Sequence, residues 1–408
     1  MKPLTLIVHF TAIAAMLVGG MRIGQAQAGS GRWITAWGTS QQTLGMTPVS
    51  NATVRVVART SIAGDAVRIR IDNAYGTTPL KIGKAYVGWR RGGATIFPNS
   101  NRQVMFTGTG EVTIPAGGTI TSDAVQMKVR ARQDLAISLY IPEMDIRASQ
   151  HGNALVTSFM TADGAGNQTA NEAAEPFTRT TTAGPWVKSI DVLSPGARGA
   201  IVAFGDSITD GSCATVDGYD RWPDVLVTRL DLEGRRMAVV NEGIGGNTIL
   251  AKHPEPQPPT GMPGVERLDR DVLAHHGVTH VVLFMGTNDM RRSATAEMVG
   301  EGMQNIVGRL KARGIKVYGG TAIPRHNNPQ PPWNEAKTAQ RNALNEWMRT
   351  KAMFDGVLDF DSVVRDSSNP NLIDPAFDCD GIHPTPAGYY EMAKAVRLDW
   401  FGPRGPKK

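Results

Sequence analysis

Ala200-Ile201-Val202-Ala203-Phe204-Gly205-Asp206-Ser207-Ile208-Thr209-Asp210 is the stretch on which the reading of this chain turns. Its first five residues are apolar without a break, the mark of a buried strand. The glycine after them permits a tight turn, so Ser207 is presented just past the strand end. Alone, a Gly-Asp-Ser triplet is weak, because Asp and Ser after Gly are also ordinary turn chemistry. It is not the Gly-x-Ser-x-Gly elbow of α/β-hydrolases, since Asp206 and Ile208 flank the serine and Thr209 takes the place of the second glycine.

Downstream, apolar strand candidates alternate with helical stretches. Helices are expected at about Trp222 to Glu233, Thr295 to Arg313, Asn334 to Met353 and Thr385 to Val396. Strands are expected at Met237 to Val240, His280 to Met285, Ile315 to Tyr318 and Val357 to Phe360. Such alternation implies right-handed crossovers and a parallel, doubly wound sheet. Upstream, from about Arg32 to Ile190, the pattern is different. Thr53 to Ala58, Ala66 to Ile71 and Leu135 to Ile141 alternate with a period of two between turn residues, which predicts half-buried strands. Ala162 to Thr182 is polar and reads as a long loop. The expected organisation is therefore a β-sandwich or jelly-roll-like domain over 29–195, an α/β domain over 196–402 and a short basic tail over 403–408, with the change of character at Ser194-Pro195-Gly196.

A length of 408 residues suits two hydrophobic cores. With 41% hydrophobic and 20% charged residues the composition is that of a globular chain, neither disordered nor membrane-spanning. Residues 1–28 begin with Lys2, continue as an apolar run and end in Gln25-Ala26-Gln27-Ala28, whose small residues fit a cleavage site. They read as a secretory signal peptide rather than an uncleaved anchor, so a secreted or periplasmic location is expected. The run is short for a membrane span, and no stable insertion is expected. The net charge of +6 falls to +4 once Lys2 and Arg22 are removed. That excess is too dispersed to argue for a nucleic-acid partner.

Functional groups in an open parallel sheet collect at the carboxyl ends of its strands. Besides Ser207, three segments sit there. Asn241-Glu242-Gly243-Ile244-Gly245-Gly246-Asn247-Thr248 follows a strand and could aim a backbone N–H into the cleft. It lacks the Gly-Lys-Ser/Thr ending of a phosphate-binding loop. Met285-Gly286-Thr287-Asn288-Asp289 offers a side-chain amide able to donate to a developing oxyanion. In Asp378-Cys379-Asp380-Gly381-Ile382-His383-Pro384, Asp380 and His383 are close enough for the carboxylate to hold the imidazole, which could serve Ser207 as general base.

Together these four segments, in this order, resemble the SGNH/GDSL hydrolase superfamily over about Ala200 to Tyr390. The resemblance implies a flavodoxin-like three-layer α/β/α domain with a parallel sheet. It implies Ser207 as nucleophile, His383 as base and Asp380 as its orienting acid. It also implies an oxyanion hole made of the Ser207 N–H, the Gly246 N–H and the Asn288 amide, with Gly245 as the alternative to Gly246. Trp33 to Ser40 and Asp72 to Gly76 resemble the two-domain branch of the superfamily, which is similar to arylesterases and carbohydrate acetylesterases. A secreted serine esterase acting on short-chain esters is expected, with O-acetyl groups of carbohydrates as the favoured substrate. A lipase, a general arylesterase, an acyltransferase and a carbohydrate-binding protein on a hydrolase scaffold are the alternatives. No metal or organic cofactor is required. The partner is a small ester or an acetylated polysaccharide, and the oligomeric state is not legible.

Several residues carry weaker signals. Asp210 and Asp289 read as helix caps or loop braces, with acids that support the catalytic residues from behind as the alternative. His275, His276 and His280 precede a strand, at the wrong end for this site, and lack zinc-ligand spacing. Pro324 to Pro329 follows a strand at the correct end and is expected either to line the cleft or to be a bare loop. Trp33, Trp37, Trp89 and Trp186 read as core, with a sugar-stacking platform as the alternative. Cys213 and Cys379 are the only cysteines. If the triad assembles, their loops converge, so a Cys213–Cys379 disulfide is expected in an oxidising compartment.

Overall fold

A computed structural model describes residue 1 and residues 31–258, 260–325 and 333–404. Residues 2–28 of the proposed leader and the last four residues of the tail lie outside that set. The description below concerns the compact unit that begins at Gly31.

From Arg32 to Ser194 every described regular element is a strand, as the period-two pattern predicts. One antiparallel sheet joins Arg32–Gly38, Val187–Ser194, Gly64–Asp72 and Thr119–Thr121, with Val125–Val129 also on Gly64–Asp72. A second, seven-stranded sheet is centred on Ala52–Arg59, Asp134–Ile141 and Lys84–Gly92. Alternate residues such as Ile69, Ile71, Val54, Val56, Ile137 and Leu139 face a shared core. Residues 162–182 are largely irregular, with one short strand, Arg179–Thr181, at the end.

The second region begins with the strand Gly199–Gly205. It lies at the heart of a five-stranded sheet whose order is Met237–Gly243, Gly199–Gly205, Val278–Phe284, Lys316–Gly320, Gly356–Leu358. All four pairings are parallel. Alternate residues of Gly199–Gly205 enter two separate cores. Ala200, Val202 and Phe204 join the helices Ala296–Lys311 and Glu335–Thr350 through Val299, Met303 and Leu344. Ile201 and Ala203 join Trp222–Leu232 and Pro386–Ala395 through Trp222, Leu226 and Met392. A strand covered on both faces has no polar side to show, which is why it reads as an unbroken apolar run.

Two details differ from expectation. The strand read as Val357 to Phe360 stops at Leu358, because Asp359 accepts a hydrogen bond from the Ser362 N–H and starts a short helix, Phe360–Val364. Gly264–Leu268 and the π-helical Asp269–Leu273 had no counterpart in the sequence reading. Their role is to carry buried charge. Arg267 and Asp271 are fully enclosed and pair with each other, and Asp271 also meets Lys188 from the β-rich region. Lys188 Nζ donates to Glu242 Oε2 at 2.8 Å and Asp271 Oδ1 at 2.9 Å. His275 Nε2 lies 2.6 Å from Glu242 Oε1, so this histidine belongs to the same enclosed network. Buried charges are tolerated only when so paired.

The aromatic residues of the β-rich region occupy unlike environments. Trp186 is wholly buried, Trp33 lies under the Arg68 guanidinium, and Trp89 is exposed with its Nε1 donating to the Lys128 carbonyl.

Candidate active site

Ser207 is the first residue of a one-turn helix that begins where Gly199–Gly205 ends. A side chain at Gly205 would place its Cβ 2.0 Å from Thr209 Oγ1 and 2.8 Å from the Phe284 carbonyl oxygen, so only glycine permits this turn. Asp206 caps the helix, its Oδ1 accepting from the Ile208 N–H at 3.0 Å. Burial raises the Asp206 carboxyl to about 6.

The partner loop lies between Asp378 and Thr385 and has no regular structure. It is held by its own hydrogen bonds. Gly381 N–H donates to Asp378 Oδ1, Cys379 N–H to the His383 carbonyl and Thr385 N–H to the Phe377 carbonyl. Thr385 then caps the last long helix. In this loop Asp380 Oδ1 accepts the N–H groups of Ile382 and His383 at 3.0 and 2.8 Å. Asp380 Oδ2 lies 2.8 Å from His383 Nδ1, and His383 Nε2 lies 2.9 Å from Ser207 Oγ. Partial burial pushes the Asp380 carboxyl up, but the hydrogen bonds and charge of His383 outweigh it and bring the group down to about 2. Asp380 is therefore a carboxylate across the working range of a histidine base. The disulfide joins Cys213, just after the serine turn, to Cys379, next to Asp380.

The other two segments arrive from neighbouring strands. Gly246 has φ +71°, open to glycine at little cost. The Gly245 N–H donates to Asp210 Oδ2 at 3.1 Å and the Asn247 N–H to the Ile244 carbonyl. Gly246 between them has an N–H that meets no acceptor among the described residues. This geometry separates the two glycines: Gly245 is occupied and Gly246 is available. Asn288 Nδ2 donates to the Asn247 carbonyl at 3.0 Å, and its second hydrogen remains. Asp289 accepts the N–H groups of Ile249 and Leu250 and bonds His253, bracing the same loop.

Three further residues support this site, of which Arg267 and His151 escaped the sequence reading and Arg325 lies in the segment expected to line the cleft. Arg325, almost wholly buried, approaches Asn288 Oδ1 at 3.4 Å and so favours the amide orientation that turns Nδ2 inward. Burial lowers its guanidinium to about 10. Residues 326–329 of the expected Pro324 to Pro329 segment lie outside the described residues. Arg267 donates to the Gly205 carbonyl and to Asn247 Oδ1 from beneath the site. His151, from the β-rich region, reaches Asp210. Asp210 also lines a cleft together with Arg59, Tyr219, Arg221 and Asn241, and neither Ser207 nor His383 lines it.

A parallel sheet that brings serine, histidine and carboxylate together past its strand ends has the build of an ester hydrolase. Residues 203–390 match the family model described as "GDSL-like Lipase/Acylhydrolase family". The chain carries a domain of that family and is a carboxylic ester hydrolase. Among solved structures, a lipase/acylhydrolase from Enterococcus faecalis is 22% identical with a TM-score of 0.41, covering 51% of this chain and 98% of its own. A carbohydrate acetylesterase family member from Sinorhizobium meliloti is 21% identical with a TM-score of 0.38, covering 48% and 94%. The aryl esterase of M. smegmatis is 21% identical with a TM-score of 0.39, covering 48% and 95%. No curated protein matches the chain.

Proposed function

We propose that the chain is an exported serine esterase in which Ser207, His383 and Asp380 form the triad, on a flavodoxin-like α/β/α domain preceded by a β-sandwich domain. The observation that carries this reading is the continuous line from Asp380 Oδ2 through His383 to Ser207 Oγ, at 2.8 and 2.9 Å. Ser207 Oγ attacks the ester carbonyl as His383 Nε2 takes its proton. The carbonyl oxygen becomes an oxyanion held by the N–H groups of Ser207 and Gly246 and by Asn288 Nδ2. His383 returns the proton to the leaving alcohol. Water then attacks the acyl-serine by the same route and releases the acid. A protonated His383 cannot accept the Ser207 proton, so activity falls on the acid side.

The disulfide supports export, since cytosolic thiols are kept reduced. We favour a small acyl group on a carbohydrate, because an exported enzyme with a β-rich companion region suits a small ester carried on a polymer. The test is hydrolysis of 4-nitrophenyl acetate, butyrate and laurate, followed by acetate release from an acetylated polysaccharide. Preference for acetate together with release from the polymer supports the reading. Preference for laurate would turn it to a lipase, and inertness on every ester would sink it.

A further inference from the structure

His151 ends the strand Ile146–His151 of the β-rich region, and its imidazole is buried. Nδ1 lies 2.8 Å from the Ser40 carbonyl oxygen and Nε2 lies 3.0 Å from Asp210 Oδ1. A backbone carbonyl can only accept. Asp210 also accepts the Gly245 N–H through Oδ2 at 3.1 Å, as a carboxylate does. Both ring nitrogens thus face acceptors, and each must carry a hydrogen, so the ring is an imidazolium. Two groups bear on its charge. Burial disfavours the cation, Asp210 outweighs that and raises its pKa, and Arg221 beside Asp210 opposes it.

The next link is covalent. The Gly245 peptide held by Asp210 leads directly into Gly246, whose N–H is otherwise unengaged among the described residues. Gly243 adds a steric constraint, because a Cβ there would lie 2.2 Å from the Asp210 backbone nitrogen. The turn therefore sits tightly against Asp210.

We propose that His151 is a positioning residue for the oxyanion loop: as an imidazolium it fixes the Asp210 carboxylate, which holds the Gly245 N–H and so aims the Gly246 N–H at the reacting carbonyl. The β-rich region then contributes to catalysis without touching substrate. The inference rests on the assignment of Ser207 as nucleophile and adds a residue that the triad does not contain.

The test is steady-state hydrolysis of 4-nitrophenyl acetate by the full chain and its variants, with thermal melting measured on each. His151→Ala and Asp210→Ala lower kcat by about tenfold to a hundredfold with KM nearly unchanged, because the lost contact acts on the transition state. Asp210→Asn stays within a few-fold of wild type. Its Oδ1 still accepts from Gly245, and its Nδ2 donates to Nε2 of a neutral His151. The double variant His151→Ala/Asp210→Ala falls no further than Asp210→Ala, since both act through one linkage. Wild-type kcat in a folded His151→Ala, even with a lowered melting temperature, overturns the proposal. If His151→Ala does not fold, equal kcat for Asp210→Ala and Asp210→Asn overturns it instead. Ser207→Ala run alongside separates the two claims. A rate lost there but kept in His151→Ala removes the positioning role alone, whereas a wild type no faster than Ser207→Ala removes both.

Discussion

The serine turn and the histidine loop supply the two halves of one reaction, yet they are built in opposite ways. Ser207 is 7% exposed and follows a strand whose every residue is buried. Its position is set by the sheet, by a glycine that nothing else could replace and by the Asp206 cap. The Asp380 side chain is 42% exposed, and its loop has neither helix nor strand. That loop is placed by short-range hydrogen bonds and by the disulfide to Cys213. The difference teaches that a sheet end supplies rigidity at one partner, while a covalent clamp between the two loops fixes the other relative to it.

Substitutions can break or sharpen that contrast. The largest effect is expected for His383→Ala, which removes the base: kcat falls by about a thousandfold or more, with little change in melting. Asn288→Ala, at a strand end, lowers kcat by about a hundredfold to a thousandfold in the same assay, by deleting one oxyanion donor. Cys213→Ser acts on the loop alone. The bridge spans 166 residues, and the chain-entropy model puts its loss at about 5 kcal/mol as an upper figure, read by denaturant unfolding. Activity of the surviving folded fraction drops as temperature rises, and equal loss of order around Ser207 and His383 would blur the contrast. The smallest effect concerns the serine turn. Asp206 is raised from 3.8 to about 6, so the folded chain binds more protons than the unfolded one between these values. That stabilisation is present below pH 4 and is lost as pH rises through about 6. Asp206→Asn keeps the cap and lacks this dependence, so its melting temperature relative to wild type should climb between about pH 4 and 6 and level off above that.

How far the sequence could be read follows the same division. The apolar run at Ala200 to Phe204 and the alternation at Ala66 to Ile71 report local burial, and both appear as strands. The four site segments were legible because each carries its chemistry within a few consecutive residues. The contacts that support them were not. Arg325 meets Asn288 across 37 residues, His151 meets Asp210 across 59, and Arg267 meets Ser40 across 227. Such pairs arise from tertiary approach, and no local periodicity marks them. The buried Lys188, Glu242 and Asp271 cluster was hidden for a related reason: in sequence a charge reads as surface until its partner is known. The short helix at Phe360–Val364 was missed because Val357 to Phe360, apolar but for Asp359, fits a strand equally well.

The most direct test of the account is labelling with a fluorophosphonate, followed by peptide mass spectrometry of the mature protein. The account predicts one adduct per chain, on Ser207, formed far more slowly in His383→Ala. An unlabelled wild type, or an adduct on another serine, would contradict it.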